Sequence, residues 1–133
     1  MSKRTIEMVT HEERQVNDQL DVLMDKKKRF YHHQMEKDDF FGETHRLLAD
    51  LDTSEISPKD RQDALAIQSE YQRLERLVTQ DYEAYETTLK QEEHQLESRR
   101  ESLYVEKQRL LTEETVKQEK KETSDGKNGF GQF

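Results

Sequence analysis

The sequence of 133 residues contains no cysteine and no long apolar run, and both absences limit what the protein can be. Without cysteine it has no disulfide and no thiolate-bound zinc, which fits a reducing compartment. No window approaches the ~20 apolar residues of a membrane span, and the N-terminal MSKRTIEMVTHEER lacks the apolar core of a signal peptide. We therefore expect a cytoplasmic chain that does not insert into membranes and is used whole, unless a specialised system exports it.

Proline occurs once and glycine four times, so little in the sequence would interrupt a helix. Only 30% of the residues are hydrophobic and 39% are charged, which excludes a thick globular core. The net charge of -8 comes from interleaved acidic and basic residues, a pattern that favours salt-bridged helix over a self-repelling coil. The one basic run, residues 26–29, is followed by Glu36, Asp38 and Asp39, so we expect no nucleic-acid partner.

In the first half of the chain an apolar residue recurs every seven positions. Val9, Val16, Leu23 and Phe30 are each seven residues apart, with Leu20 beside them. This spacing predicts a helix with a coiled-coil seam, beginning near an N-cap at Ser2 or Thr5. The sequence LDTSEISPKD then predicts a turn and a second start, with Ser57 as the N-cap and Pro58 at the first helical position.

The second half repeats the heptad with leucine. Leucines spaced by seven follow a tyrosine-rich stretch: Leu89, Leu96, Leu103 and Leu110. The predicted fold is all-α, a long antiparallel two-helix hairpin in residues 1–122 with a disordered C-terminal tail. Its predicted parts are a helix over 4–51, a turn over 52–57, a helix over 58–122 and a flexible tail over 123–133. The role of the tail from Ser124 to Phe133 stays open at this point.

The loop fixes which residues of the two predicted helices lie opposite each other. If Leu51 lies beside Asp60, antiparallel pairing places Val9 near Ser102. The second helix is the longer one, so we expect Leu110 and Leu111 to project beyond the first helix without cover from their own chain. A hairpin with so thin a core is expected to need a partner or a second copy for stability.

The histidines and carboxylates do not form a recognisable catalytic or metal-binding pattern. No histidine stands three residues after a glutamate, and HEERQ at His11 lacks the second histidine of a zinc-protease helix. Adjacent His32 and His33 point about 100° apart on a helix, which does not suit a chelate. No glycine-rich phosphate loop and no predicted concave pocket is present. We therefore expect no enzyme activity, no metal and no cofactor.

The stretch DDFFGE at Asp38 places two phenylalanines and a glycine inside a charged helix. If Phe40 faces the second helix, Phe41 lies at the margin of the seam and needs another cover. Gly42 would then permit a close approach or a kink. The alternative is that both rings complete the hairpin core, with Gly42 neutral; the leucines assigned to that core are Leu47, Leu65 and Leu74.

The segment YETTLKQEEHQLESRRESLYVEKQRLL, from Tyr85 to Leu111, continues EYQRLERLVTQDYEAYE, which ends with the shared Tyr85 and Glu86. Together they resemble the small all-helical targeting proteins encoded beside LXG-domain toxins of the Gram-positive type VIIb (Esx-type) secretion system. The resemblance implies a cytoplasmic chaperone-like factor that binds the helical LXG domain of one toxin, alongside a second small protein of the Trp-x-Gly type. The chain itself lacks Trp-x-Gly and Phe-x-x-x-Asp. Tyr82 and Glu86 fit the export form Tyr-x-x-x-Glu, which we interpret as core aromatic spacing.

These observations predict a non-enzymatic targeting factor that completes a helical bundle with its client. Its mechanism would be to lay apolar side chains, Val9 among them, against a client helix, while flanking charges set the register. The predicted partner-binding residues are Val16, Leu20, Leu23, Phe30, Phe40, Phe41, Gly42, Tyr82, Tyr85, Leu89, Leu96 and Leu103. The alternatives are a structural homodimeric coiled coil and a stalk-like hairpin associated with an export ATPase. The identity of the client and its co-export with the protein are left open.

Overall fold

The protein is a hairpin of two α-helices, as the sequence predicts. The computed structural model describes the backbone of residues 3–130 and the side chains of residues 3–121. Helix α1 is Ile6–Thr53 and helix α2 is Pro58–Phe130. No strand occurs in the described backbone. The fold class is therefore all-α.

A side-chain oxygen satisfies a free backbone N–H group at the start of each helix. The backbone N–H of Met8 donates to Thr5 Oγ1 at 3.2 Å, so Thr5 caps α1, while Ser2 lies outside the described residues. The backbone N–H of Asp60 donates to Ser57 Oγ at 3.1 Å. Pro58 follows as the first residue of α2. An N–H group at this position has no intrahelical acceptor, so proline, which lacks the N–H, costs no hydrogen bond there. Ser57 is therefore the cap that the sequence predicts.

The helix ends differ from the predicted ones at two places. Helix α1 ends at Thr53, two residues beyond the predicted end, so the loop is shorter than the predicted turn. Helix α2 continues to Phe130, although its predicted end is residue 122. Residues 131–133 of the predicted tail lie outside the described residues, and the flexibility of the tail stays a prediction.

The chain forms two compact units, and each contains a segment of both helices. Unit 1 comprises Met1–Val22 and Glu93–Phe133, and unit 2 comprises Leu23–Glu92. In unit 1, the buried side chains of Val9, Val16 and Leu103 form a cluster. The contact of Val9 with this part of α2 agrees with the register predicted from the loop.

One prediction about unit 1 is wrong. Leu110 is half-buried and packs against the unit 1 cluster, so it is covered by its own chain. The cover extends this far because the residues before α1 continue alongside α2: Lys3, Arg4 and Thr5 line the same surface depression as Leu110. Leu111, one residue further round the helix, remains exposed.

Ion pairs flank the narrow apolar strip of unit 1. The Arg4 guanidinium donates hydrogen bonds to the carboxylates of Glu12 and Glu106, and so links the N-terminal segment to α2. Lys107 Nζ lies 3.2 Å from Glu13 Oε1. The hydrogen bonds from Arg4 hold the pKa of the Glu12 carboxyl below its usual range, and they raise the pKa of Arg4. These contacts are compatible with the antiparallel register that the loop sets.

Removal of the Ser57 cap is expected to destabilise the protein. Replacing Ser57 with Ala leaves the Asp60 N–H without its side-chain acceptor, which lowers the free energy of unfolding by about 1 kcal/mol. Chemical denaturation followed by circular dichroism measures the change. Ser69→Ala, an exposed substitution within α2, is the control and should cost little. Equal effects of both substitutions would show that the hydroxyl of Ser57 does not act as a cap.

The Arg4–Glu12 contact is expected to make stability depend on pH. Because the pKa of Glu12 is lower in the folded protein, its contribution is present above the unfolded carboxyl pKa of about 4.3 and is lost as the pH falls through the folded pKa. Glu12→Gln should therefore melt below the wild-type chain at pH 7. At a pH well below the folded pKa the two should melt together, because Glu12 is then neutral in both states. Thermal melts across this range would contradict the assignment if the difference persisted in acid.

Candidate partner-binding surface

The predicted partner-binding residues divide by exposure into three groups. Six of them are buried within the chain: Val16, Leu23, Phe30, Phe41, Leu89 and Leu103. Three are half-buried: Leu20, Tyr82 and Leu96. The remaining three, Phe40, Gly42 and Tyr85, are exposed. The buried group is unavailable to a partner that docks on the closed hairpin, so a binding surface must be built mainly from other side chains.

Of the two adjacent phenylalanines, Phe41 faces the second helix and Phe40 is exposed. Phe41 is buried, and its ring meets the ring of Tyr71 edge-on, with centroids 5.9 Å apart. The Phe40 side chain is 61% exposed. Phe41 lies 11 residues after Phe30, or about three turns, and therefore continues the buried line after a break in the heptad. Phe40 is consequently the ring that a partner can reach.

An open recess with aromatic walls lies in unit 2. The ring of Phe30 contacts Tyr82 and Tyr85, with centroids 5.7 and 5.2 Å apart. Lys37 places its Nζ 4.6 Å from the centroid of the Tyr82 ring, a cation–π contact that accommodates a lysine near the seam. The recess is lined by Lys26, Arg29, Phe30, His33, Asp81, Tyr82 and Tyr85. Arg29 of α1 and Tyr85 of α2 thus lie on the same side of unit 2.

That same side carries a row of exposed apolar side chains on each helix. On α1, Phe40 and Leu47 follow Arg29 by 11 and 18 residues, which are about three and five helical turns. On α2, the residues that precede Tyr85 by 11 and 18 positions are Leu74 and Ile67. Since Arg29 and Tyr85 share one recess, both rows face the same way. We call Phe40, Leu47, Ile67, Leu74 and Tyr85 the apolar face; all five are exposed.

The apolar face was only partly visible in the sequence. Sequence reasoning selected Phe40 and Tyr85 but missed Ile67, and it placed Leu47 and Leu74 in an alternative hairpin core. In the structure both leucines are exposed, so the hypothesis of a completed core with these residues is wrong. The missed signal was the repeat of the spacings 11 and 18 on both helices.

Gly42 does not serve a close approach or an unusual backbone. A Cβ atom built on Gly42 would meet nothing within 4 Å, and its φ is not positive. The residue lies within α1 and is exposed. The fold therefore does not require glycine at this position.

A second ring cluster on unit 2 includes a histidine. His45 stacks edge-on with Tyr71 at 5.7 Å, and its Nε2 lies 2.9 Å from Glu75 Oε2. No group of three or more histidine and carboxylate side chains among the described residues is placed to hold a metal ion. Within the described part of the chain, neither helix has a stretch apolar enough to cross a membrane.

No protein family, curated protein or solved structure was found to match the chain.

Replacement of Gly42 is expected to stabilise the helix. Gly42→Ala should raise the free energy of unfolding by about 0.5–1 kcal/mol, because alanine loses less backbone entropy on folding and its Cβ meets open space. Denaturant unfolding measures the change. A loss of stability would show that a close approach at Gly42 exists in solution.

Proposed function

We propose that this protein is a non-enzymatic adaptor whose apolar face binds a helical segment of a client protein. The observation that carries the proposal is the apolar face itself, five large side chains exposed on one side of unit 2. Exposed apolar patches of this kind mark interaction surfaces more often than chance, and aromatic residues are enriched where interfaces are driest. A partner helix laid on this side would contact both α1 and α2.

The physical basis of binding is completion of a helical bundle. Two helices that each contribute one line of apolar residues to the seam bury little surface. A third helix, lying in the groove between the two rows of the apolar face, would add a second layer of contacts. The rows repeat at 7 and 11 residues, so a client helix with apolar residues at the same spacing fits them. The buried seam residues Leu23, Phe30 and Leu89 then support the groove instead of touching the client.

The resemblance of residues 70–111 to proteins encoded beside LXG toxins supports a specific client. We propose that the client is the helical LXG domain of a type VIIb secreted toxin, and that the complex includes a second small helical targeting protein. The adaptor would cover apolar client surface in the cytoplasm until the toxin reaches the secretion machinery. Charged residues beside the apolar face, such as Lys26, Arg29 and Asp81, would select one client over related ones.

Phe40→Asp is expected to abolish client binding while leaving the fold intact. A carboxylate at an interface centre must be desolvated without a partner, so the dissociation constant should rise at least about 100-fold. Titration with an LXG domain, taken from the neighbouring gene where that gene encodes one, gives the affinity by calorimetry, and circular dichroism checks helicity. Met35→Asp is the matched control, because Met35 is 67% exposed on α1 and lies about 140° round the helix from Phe40.

Two outcomes would contradict this proposal. Equal loss of binding in the Phe40 and Met35 variants would show that the apolar face is not the contact surface. Absence of binding by the wild-type chain, tested with and without the second small protein, would reject the LXG domain as client.

A further inference from the structure

The apolar face has no cover from its own chain, and its size approaches that of a real interface. An aromatic side chain such as Phe40 or Tyr85 buries about 150–250 Å² when fully covered, and the aliphatic Leu47, Ile67 and Leu74 bury less. The five side chains at about half exposure therefore supply on the order of 500 Å², a large part of the roughly 800 Å² per partner in a standard interface. In a solution of the pure protein, the one partner always present is a second copy.

At the two ends of the apolar face, α1 and α2 present charges of opposite sign, although Asp81 of α2 lies in the same recess as Lys26 and Arg29. At the end remote from the loop, α1 presents Lys26 and Arg29 beside the recess. At the loop end, α2 presents the exposed carboxylates of Asp63 and Glu70, on the same side as Ile67 by the helical period. Arg29 and Asp63 make no ion pair within the described part of the chain. Each end therefore carries a charge that another molecule can pair.

The spacing of these charges is self-complementary about the centre of the face. The contact of Phe30 with Tyr85 sets the register of the two helices. Phe40 lies ten residues after Phe30 in α1, and Leu74 lies eleven residues before Tyr85 in α2, so Phe40 and Leu74 are nearly level. Arg29 precedes Phe40 by 11 residues, and Asp63 precedes Leu74 by 11. Because the helices are antiparallel in unit 2, the two charges lie about 16 Å from the centre in opposite directions.

We propose that a second copy of this chain covers the apolar face through a two-fold axis near Phe40 and Leu74, giving an antiparallel four-helix layer. A two-fold rotation about that centre brings Arg29 of each copy level with Asp63 of the other. The interface is isologous, so each such pair occurs twice. The inference does not rest on the proposed client, but the client and the second copy would use the same face and therefore compete for it.

The first test is the mass of the purified full chain as a function of concentration, by analytical ultracentrifugation between about 1 and 100 µM. The wild-type chain should shift from monomer to dimer, and Leu74→Asp should remain monomeric. Leu65→Asp is the matched control: Leu65 is 55% exposed against 54% for Leu74, and nine residues place it on the opposite side of α2. A wild-type monomer throughout, or equal effects of both variants, would overturn the proposal without affecting the client hypothesis.

The second test is a charge exchange that isolates the two-fold pairing. Arg29→Asp and Asp63→Arg each place like charges together at both symmetry-related sites, so each should weaken dimerisation by about tenfold or more. The double variant restores opposite charges and should dimerise within about threefold of the wild-type chain. Additive weakening in the double variant would reject the two-fold arrangement. Circular dichroism of all three variants confirms that helicity is retained.

Discussion

The structure depends on one constraint, the narrow line along which two helices can bury side chains against each other. The buried apolar residues of α1 begin as single positions seven apart, at Val9, Val16, Leu23 and Phe30. A line one residue wide covers only part of each helix. The side chains on its flanks therefore decide whether the uncovered surface of the helix is well solvated by water. The chemistry of those flanks differs between the two units.

In unit 1 ion pairs lie beside the seam, although Tyr104 and Val105, next to the buried Leu103, are also exposed. Arg4 holds Glu12 and Glu106, and Lys107 faces Glu13, so the seam is bounded by charges that water also solvates. In unit 2 one flank is apolar on both helices, from Leu47 and Ile67 near the loop to Tyr85. Exposed ion pairs contribute little to stability but keep a surface soluble, whereas an uncovered apolar row favours association. The apolar face, which is the proposed binding surface, lies on this flank of unit 2.

The features that the sequence predicted are those set by local spacing. The cap at Ser57, the start of α2 at Pro58 and the heptads are read from one segment at a time, and the register followed from the length of the loop. The orientation of Phe40 and Phe41 was not predictable in this way, because the heptad breaks between Phe30 and Phe41 and neighbouring side chains differ by about 100°. The apolar face was also not predictable from the sequence. It exists only when rows on two helices lie side by side, and recognising it requires knowing how each helix is oriented about its own axis.

If the apolar face binds a client and a second copy as proposed, it links folding, self-association and client binding. Any partner that binds the folded hairpin and not the unfolded chain stabilises the folded state by mass action. A second copy would do so even without a client. If the copy and the client occupy the same groove, the dimer reduces the fraction of chains that are free to bind, and the apparent client affinity falls by that fraction. A client helix displaces the second copy only if its binding to the groove is more favourable in free energy than that of the copy. The spacing of apolar residues in the client helix and the charges at its ends can supply this difference in binding free energy. The second copy is more constrained, because one sequence must satisfy two symmetry-related sets of contacts.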